Sequence, residues 1–292
     1  MKASGEVEAA IAAASGRSFR ASSWRPLGGG CINQAYLIEG SGQRHFVKTN
    51  AARLVAMFEA EAAGLAELEA ARALRVPHPV ATGVAGGEAF LVLEYLELGG
   101  SGDTAELGRR LALQHRKTAD RFGWERDNTI GSTPQPNAWN ADWLDFLRNR
   151  RLGFQLELAA ENGYGGGLQA LGDALLDRLA DFFPGYRPQP SLLHGDLWGG
   201  NAAFTASGEP VVFDPAVHYG DREADLAMTE LFGGFGAGFY AAYREAWPLD
   251  PGYGVRKTLY NLYHILNHAN LFGGGYAGQA ETMMRRLLSE VK

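Results

Sequence analysis

Residues 194–201 read HGDLWGGN, and this run constrains the chain more than any other because Asp196 and Asn201 stand within it with four residues between them. At that spacing an Asp can accept the proton of an attacking hydroxyl while the Asn side-chain oxygen turns back to hold a Mg²⁺ on nucleotide phosphates. Asp and Gly are also ordinary turn formers, so the same six residues taken alone would serve as a hairpin turn. The sequence beyond them adds weight to the first reading. Residues 202–205 and 210–213 read as two short strands joined by the turn-rich Ala206, Ser207, Gly208 and Glu209. Such a hairpin returns the chain to its starting end and predicts Asp214 beside Asn201 as a second metal ligand. Mg²⁺ usually takes only one or two protein carboxylates, with phosphate oxygens and water completing its shell.

A phosphate-transfer site needs a cradle for the nucleotide, and residues 27–36, LGGGCINQAY, supply a candidate. Without side chains, Gly28, Gly29 and Gly30 let backbone N–H groups approach phosphate closely. The run fits neither a Walker loop nor a dinucleotide fingerprint, and a chain with 39 glycines contains such triplets by chance. In the next strand Lys48, after Phe46 and Val47, is placed to reach the α and β phosphates. The helix after it has Leu54, Phe58, Glu61, Leu65 and Leu68 on one apolar face. A carboxylate on such a stripe is costly unless paired, so Glu61 is expected to pair with Lys48, whereas Glu59 lies off the stripe.

At 292 residues the chain is long enough for about two domains. The pattern divides it into a β-rich part over residues 1–96 and a mainly helical part over residues 97–292, a bilobal α+β arrangement with nucleotide between the lobes. Glu94 to Leu96 would form the hinge whose backbone bonds adenine. The helical part includes a face of Leu107, Leu111, Gln114 and Thr118, and further helices over residues 255–272 and 283–291. A net charge of −6 gives no nucleic-acid footprint. No apolar run approaches a membrane span, and Glu6 and Glu8 stand where a signal peptide would be cationic and then apolar, so a cytoplasmic protein is expected. The single cysteine, Cys31, excludes an internal disulfide and a cysteine-based zinc site. If exposed on the glycine loop, its thiol would link two protomers under oxidation; otherwise a monomer is expected, and a buried cysteine is at least as common.

On these residues the chain resembles the fructosamine kinases, or ketosamine 3-kinases, within the protein-kinase-like superfamily that includes aminoglycoside and choline kinases. The resemblance runs over nearly the whole chain. It rests on Gly28, Gly29, Gly30, Cys31, Ile32 and Asn33, on Phe46-Val47-Lys48, on Met57 through Glu61, on HGDLWGGN, on Asp127 through Gly131 with Trp139 and Trp143, and on FDPAVHYGDREADLAM over residues 213–228. It implies a small β-rich N-lobe, a larger helical C-lobe, and transfer of the ATP γ-phosphate to the 3-hydroxyl of a small-molecule or protein-bound ketosamine, after which the adduct falls apart and restores the amine. Aminoglycoside or choline kinases, or a pseudokinase binding module, are the alternatives. ATP and Mg²⁺ are the implied cofactors. Lys48, Glu61 and Asp196 would be catalytic; Gly28, Gly29, Gly30, Cys31, Asn33, Lys48, Glu94 and Leu96 would hold nucleotide; Asn201 and Asp214 would hold metal.

Trp198 would wall the sugar or simply pack. Asp221 and Glu223 would bind the substrate amine, with a solvated acidic turn as the plainer reading. Asp225 and His194 are expected to brace the catalytic loop. His264 and His268 lie one helical turn apart, a zinc-compatible spacing without the accompanying glutamate pattern. Trp24, Trp124 and Trp247 read as packing residues. Scattered acidic residues favour an acceptor with one or two cationic groups, and the resemblance implies ribulosamine or erythrulosamine adducts ahead of fructosamine.

Overall fold

The computed structural model describes residues 4–28 and 32–291. Two compact units emerge, one comprising Met1–Asp103 with Ala202–Pro215, the other Thr104–Asn201 with Ala216–Lys292. The first unit therefore takes in the 202–215 hairpin, which a division at residue 96 leaves with the helical part.

In the first unit α1 (Ser4–Ser15) precedes strands β1 (Ala21–Leu27), β2 (Gln34–Gly40) and β3 (Gln43–Ala51). These are followed by α2 (Val55–Ala71), β4 (Pro79–Ala85) and β5 (Glu88–Glu94). The strands form one sheet in the order β1-β2-β3-β5-β4, every neighbouring pair antiparallel. Period-two alternation decides what each face of β3 carries. Val47 joins Val7 and Ile11 of α1, Ile38, Phe90 and Val92 in one apolar cluster, and Lys48, one residue on, faces the other way. On α2, Phe58, Leu65 and Leu68 are fully buried at helical spacing, so the apolar stripe seats the helix and fixes Glu61 among them. Arg72, with φ 54, stops α2 in the left-handed conformation.

The second unit begins with α3 (Thr104–His115) and the short ribbon β6 (Asn128–Ile130) and β7 (Thr133–Gln135). Leu107, Leu111 and Gln114 are buried on α3 as their spacing predicts, but the helix ends at His115 and Thr118 instead bridges to Ser191. Then α4 (Trp143–Phe146) passes through six π-helical residues, Leu147–Leu152, into α5 (Gly153–Glu161), and α6 (Gly167–Asp177) and β8 (Ser191–Leu193) follow. The hairpin strands β9 (Ala202–Phe204) and β10 (Pro210–Val212) pair antiparallel and attach to the first unit, where Val212 N–H donates to the Arg75 carbonyl at 3.0 Å. Strand β11 (His218–Gly220) pairs with β8, and α7 (Arg222–Leu231), α8 (Ala237–Ala246), α9 (Tyr253–Phe272) and α10 (Tyr276–Glu290) complete the chain. The core of this unit gathers Trp143, Phe146, Leu259, Leu262, Ile265, Leu266, Met284 and Leu287. Trp124 is buried, and Trp247 packs under the guanidiniums of Arg222 and Arg116. No helix among the described residues is long and apolar enough to cross a membrane.

Candidate functional site

In the first unit the Lys48 ammonium lies 2.6 Å from Glu61 Oε1 and 2.5 Å from Asp214 Oδ1. Burial alone would lower its pKa, but the two carboxylates outweigh burial and the net direction is upward. Glu61 is raised, first by burial and then by the charge of Asp214, against the pull of Lys48. One cation shared by two carboxylates leaves the buried one easier to protonate than an ordinary glutamate. Asp214 sits immediately beyond the hairpin with φ 57, an uncommon value for a residue with a side chain, and about half of its side chain is exposed. The Asn50 amide donates to the Ile32 carbonyl at 3.0 Å and to Asn33 Oδ1 at 2.8 Å, tying the end of the glycine loop to β3. Gly28 is described; the expectations for Gly29, Gly30 and Cys31, including a thiol-linked dimer, lie outside the described residues. At the expected hinge, Glu94 donates its N–H to the His78 carbonyl at 2.8 Å and its carboxylate takes Arg75 and the His78 N–H. That N–H is therefore spent inside the fold, and half-buried Leu96 lies just past the end of β5.

In the second unit the fully buried strand β8 delivers the chain to His194. Asp225, on the first turn of α7, accepts the backbone N–H groups of His194 at 2.7 Å and Gly195 at 2.8 Å. It also accepts His115 Nε2–H at 3.1 Å, and the other nitrogen of that ring meets the Tyr243 hydroxyl at 2.8 Å. Burial would raise Asp225, but these donors outweigh it and hold the carboxyl below the usual aspartate range. Gly195 has φ 83, and a Cβ there would strike the Ala216 carbonyl. Asp196 donates its N–H to His194 Nδ1 at 3.2 Å. A single 3-10 turn, Gly199–Asn201, then brings the Asn201 amide back to the Asp196 carbonyl at 2.9 Å and to its Oδ2 at 3.2 Å. The motif thus closes on itself through the Asn201 amide nitrogen. A Cβ on Gly200 would collide with the Trp198 ring; this explains a glycine there and leaves Trp198 lying across the loop, 38% exposed.

Asp221 and Glu223 correct the expectation of an amine-binding pair, because both are wholly buried. Asp221 caps α7 through the Glu223 N–H at 3.0 Å and accepts the hydroxyls of Tyr186 at 2.9 Å and Tyr260 at 2.5 Å. Glu223 takes Arg256 bidentately at 2.7 and 3.1 Å. Burial first, and the neighbouring Asp221 next among the raising influences, push Glu223 up to about 7 against the pull of Arg256. These carboxylates clamp α7 to α9 and have no face left for a ligand. An Asp followed by Arg-Glu at the start of a helical pattern is the N-cap signal that could have shown this.

A second support went unread. The Asn128 amide holds the Val217 carbonyl at 2.8 Å and the Gln135 amide holds the Ala216 carbonyl at 3.1 Å. Buried Arg151 holds Asn137 Oδ1 at 2.7 Å from within the π-helical segment. The residues from Ala216 that lead into β11, strand partner of the segment feeding the loop, are thereby fixed from behind. No local signal links these positions, since their partners lie 81 and 89 residues away. His268 Nδ1 turns to the His264 carbonyl at 2.7 Å, and no cluster of three metal-ligating His, Cys, Asp or Glu residues occurs among the described residues.

A family model described as fructosamine kinase matches residues 3–290. The chain is 48% identical over 281 residues to a probable ketoamine kinase of Synechocystis sp., covering 95% of this chain and 94% of that one. It is 45% identical over 270 residues to a chloroplastic protein-ribulosamine 3-kinase of Arabidopsis thaliana, covering 91% and 82%. A crystal structure from Haemophilus somnus assigned as a fructosamine-3-kinase superposes with TM-score 0.89 at 31% identity, over 97% and 96% of the two chains. An aminoglycoside phosphotransferase with TM-score 0.61 at 16% identity, over 97% and 98%, shares the protein-kinase-like fold.

Proposed function

This chain belongs to the fructosamine kinase family, and on that premise we propose that it transfers the ATP γ-phosphoryl group to the 3-hydroxyl of a ketosamine. The observation that carries the reading is the closed Asp196–Asn201 turn, on a loop whose backbone N–H groups are fixed by a buried aspartate. Asp196 takes the proton of the sugar hydroxyl as its oxygen bonds to the γ-phosphorus and the bond to the β-phosphate oxygen breaks, giving ADP and the 3-phosphate. Such transfer needs little covalent help from protein; positioning and charge neutralisation supply most of the acceleration. Lys48, oriented by Glu61, is the cation for the α and β phosphates, and Gly28 and Asn33 flank the loop assigned to them. Asp214 and Asn201 each offer a hard oxygen of the kind Mg²⁺ accepts. When bound, the metal would neutralise charge developing on the phosphates.

With Asp221 and Glu223 committed to the fold, recognition of the ketosamine ammonium falls to the exposed face of Trp198. An aromatic face suits one ammonium better than the several carried by an aminoglycoside. The phosphorylated adduct would then release its amine, a deglycation.

An ATP-consumption screen with ribulosyl-, erythrulosyl- and fructosyl-lysine, beside ribulose, an aminoglycoside and choline, tests the reading. Ketosamines should be consumed, the two smaller adducts ahead of fructosyl-lysine, and ribulose poorly. Preference for the aminoglycoside or choline over every ketosamine would overturn the substrate class; equal kcat/KM for ribulose and ribulosyl-lysine would overturn ammonium recognition.

A further inference from the structure

Trp198 begins a row of rings within the second unit. Its ring meets Phe232 at 6.0 Å, Phe232 meets His268 at 5.1 Å, and His268 meets Phe272 at 5.5 Å and Tyr276 at 5.1 Å. Phe232 is 39% exposed and Phe272 56%, whereas Phe239 on the adjacent α8 is fully buried. Lone exposed apolar side chains are ordinary, but a contiguous set marks a contact surface. Each phenylalanine stands at a helix end followed by two glycines of positive φ, Gly233 and Gly234 in one case, Gly273 and Gly274 in the other. The chain turns away there and leaves the ring at the surface. The segments that carry the row, residues 231–243 and 268–280, contain no Asp, Glu, Lys or Arg, in a chain of which 21% is charged.

We propose that this row docks the polypeptide whose lysine side chain carries the ketosamine, an inference that rests on the assignment of Asp196 as the base. The row starts two residues from Asp196, at the side chain assigned to the ketosamine ammonium. A sugar held there leaves the lysine stem and its main chain outside, beside Trp198. The three ring-to-ring steps out to Phe272 are matched in length by at most about five residues of extended peptide. Aromatic rings offer stacking and apolar contact to peptides of many sequences, as a repair activity on lysines in varied surroundings requires. A charged face would select among them.

The test compares kcat/KM for a ribulosylated lysine-containing nonapeptide with that for Nα-acetyl-ribulosyl-lysine amide. The proteins are the wild type, Phe272→Ser, Phe232→Ser and, as an exposed apolar control on α3, Leu113→Ser. Wild type should prefer the peptide. Phe272→Ser should lose about tenfold on the peptide through KM, the effect of removing one well-placed aromatic contact, and keep its rate on the small amide. Phe232→Ser should lose at least as much on the peptide, and Leu113→Ser nothing on either. Equal losses on both substrates, no loss on the peptide, or a dimer that Phe272→Ser converts to monomer with peptide turnover intact would overturn the docking row while leaving the kinase reading standing. Wild-type inactivity on both substrates would instead remove the proposed function, and the row with it.

Discussion

Asp196 is held on both sides by its own loop, its N–H on His194 Nδ1 and its carbonyl and Oδ2 under the Asn201 amide. Replacing it by Asn keeps the size and most of the hydrogen bonding but removes the carboxylate proposed as the base. Asp196→Asn should therefore lower kcat by roughly 10²–10⁴, the usual contribution of a positioned base, while calorimetric titration finds ADP binding within about twofold of wild type. Wild-type turnover in the folded variant would refute the assignment. At this scale the sequence was legible where a local rule applied. Helix periodicity put Glu61 on a buried stripe, and cost then demanded a partner, which is Lys48. It was illegible for Asp221 and Glu223, because whether an acidic residue meets solvent or Arg256, Tyr186 and Tyr260 depends on chain 33 to 39 residues distant.

The 194–201 loop is an element with hardly any regular structure of its own, and its shape comes from α7 and β11. Asp225 binds two consecutive loop N–H groups, so Asp225→Ala would orphan both donors and leave His115 without its carboxylate. Each buried group left unsatisfied costs about 1–3 kcal/mol; a clear drop in the denaturant midpoint together with loss of kcat should follow. Gly195→Ala should be as damaging by a different route, since the new methyl meets the Ala216 carbonyl at a backbone angle that favours glycine. If either variant melts and turns over like wild type, the loop is not held as described. The sequence suggested Asp225 as a brace, but His115 and Tyr243 behind it gave no signal, lying 110 and 18 residues from it. Likewise α10 starts at Tyr276, ahead of the expected residue 283, and that early start was hard to read because Gly278, a poor helix former, sits in the first turn.

Across the whole molecule, buried imidazoles weaken the fold in acid, while carboxyls raised by burial, such as Glu223, act in the opposite direction. His264, beneath the surface of the second unit, is lowered to about 3, first by burial and then by His268, and burial takes His218 well below its ordinary value. Both are neutral in the fold, so the stability they allow is complete above the ordinary value of 6.5 and is lost as pH falls from there toward about 3. Relative to the wild type, His264→Gln, which cannot charge, should lose less melting temperature as pH falls from 6.5 to about 4.5; parallel slopes for the two proteins would contradict the burial account. At this scale the β-rich start and the helical remainder were legible, since strand and helix periods differ plainly, but the strand order β1-β2-β3-β5-β4 was not. The attachment of the 202–215 hairpin to the first unit was not, because it depends on a main-chain bond to Arg75. The most direct measurement is phosphorus and carbon NMR of the product formed from ATP and ribulosyl-lysine: one phosphate on O3 per ADP released, absent with Asp196→Asn, is the expected result. Phosphate on another hydroxyl, or ATP hydrolysed with no phosphorylated adduct, would contradict it.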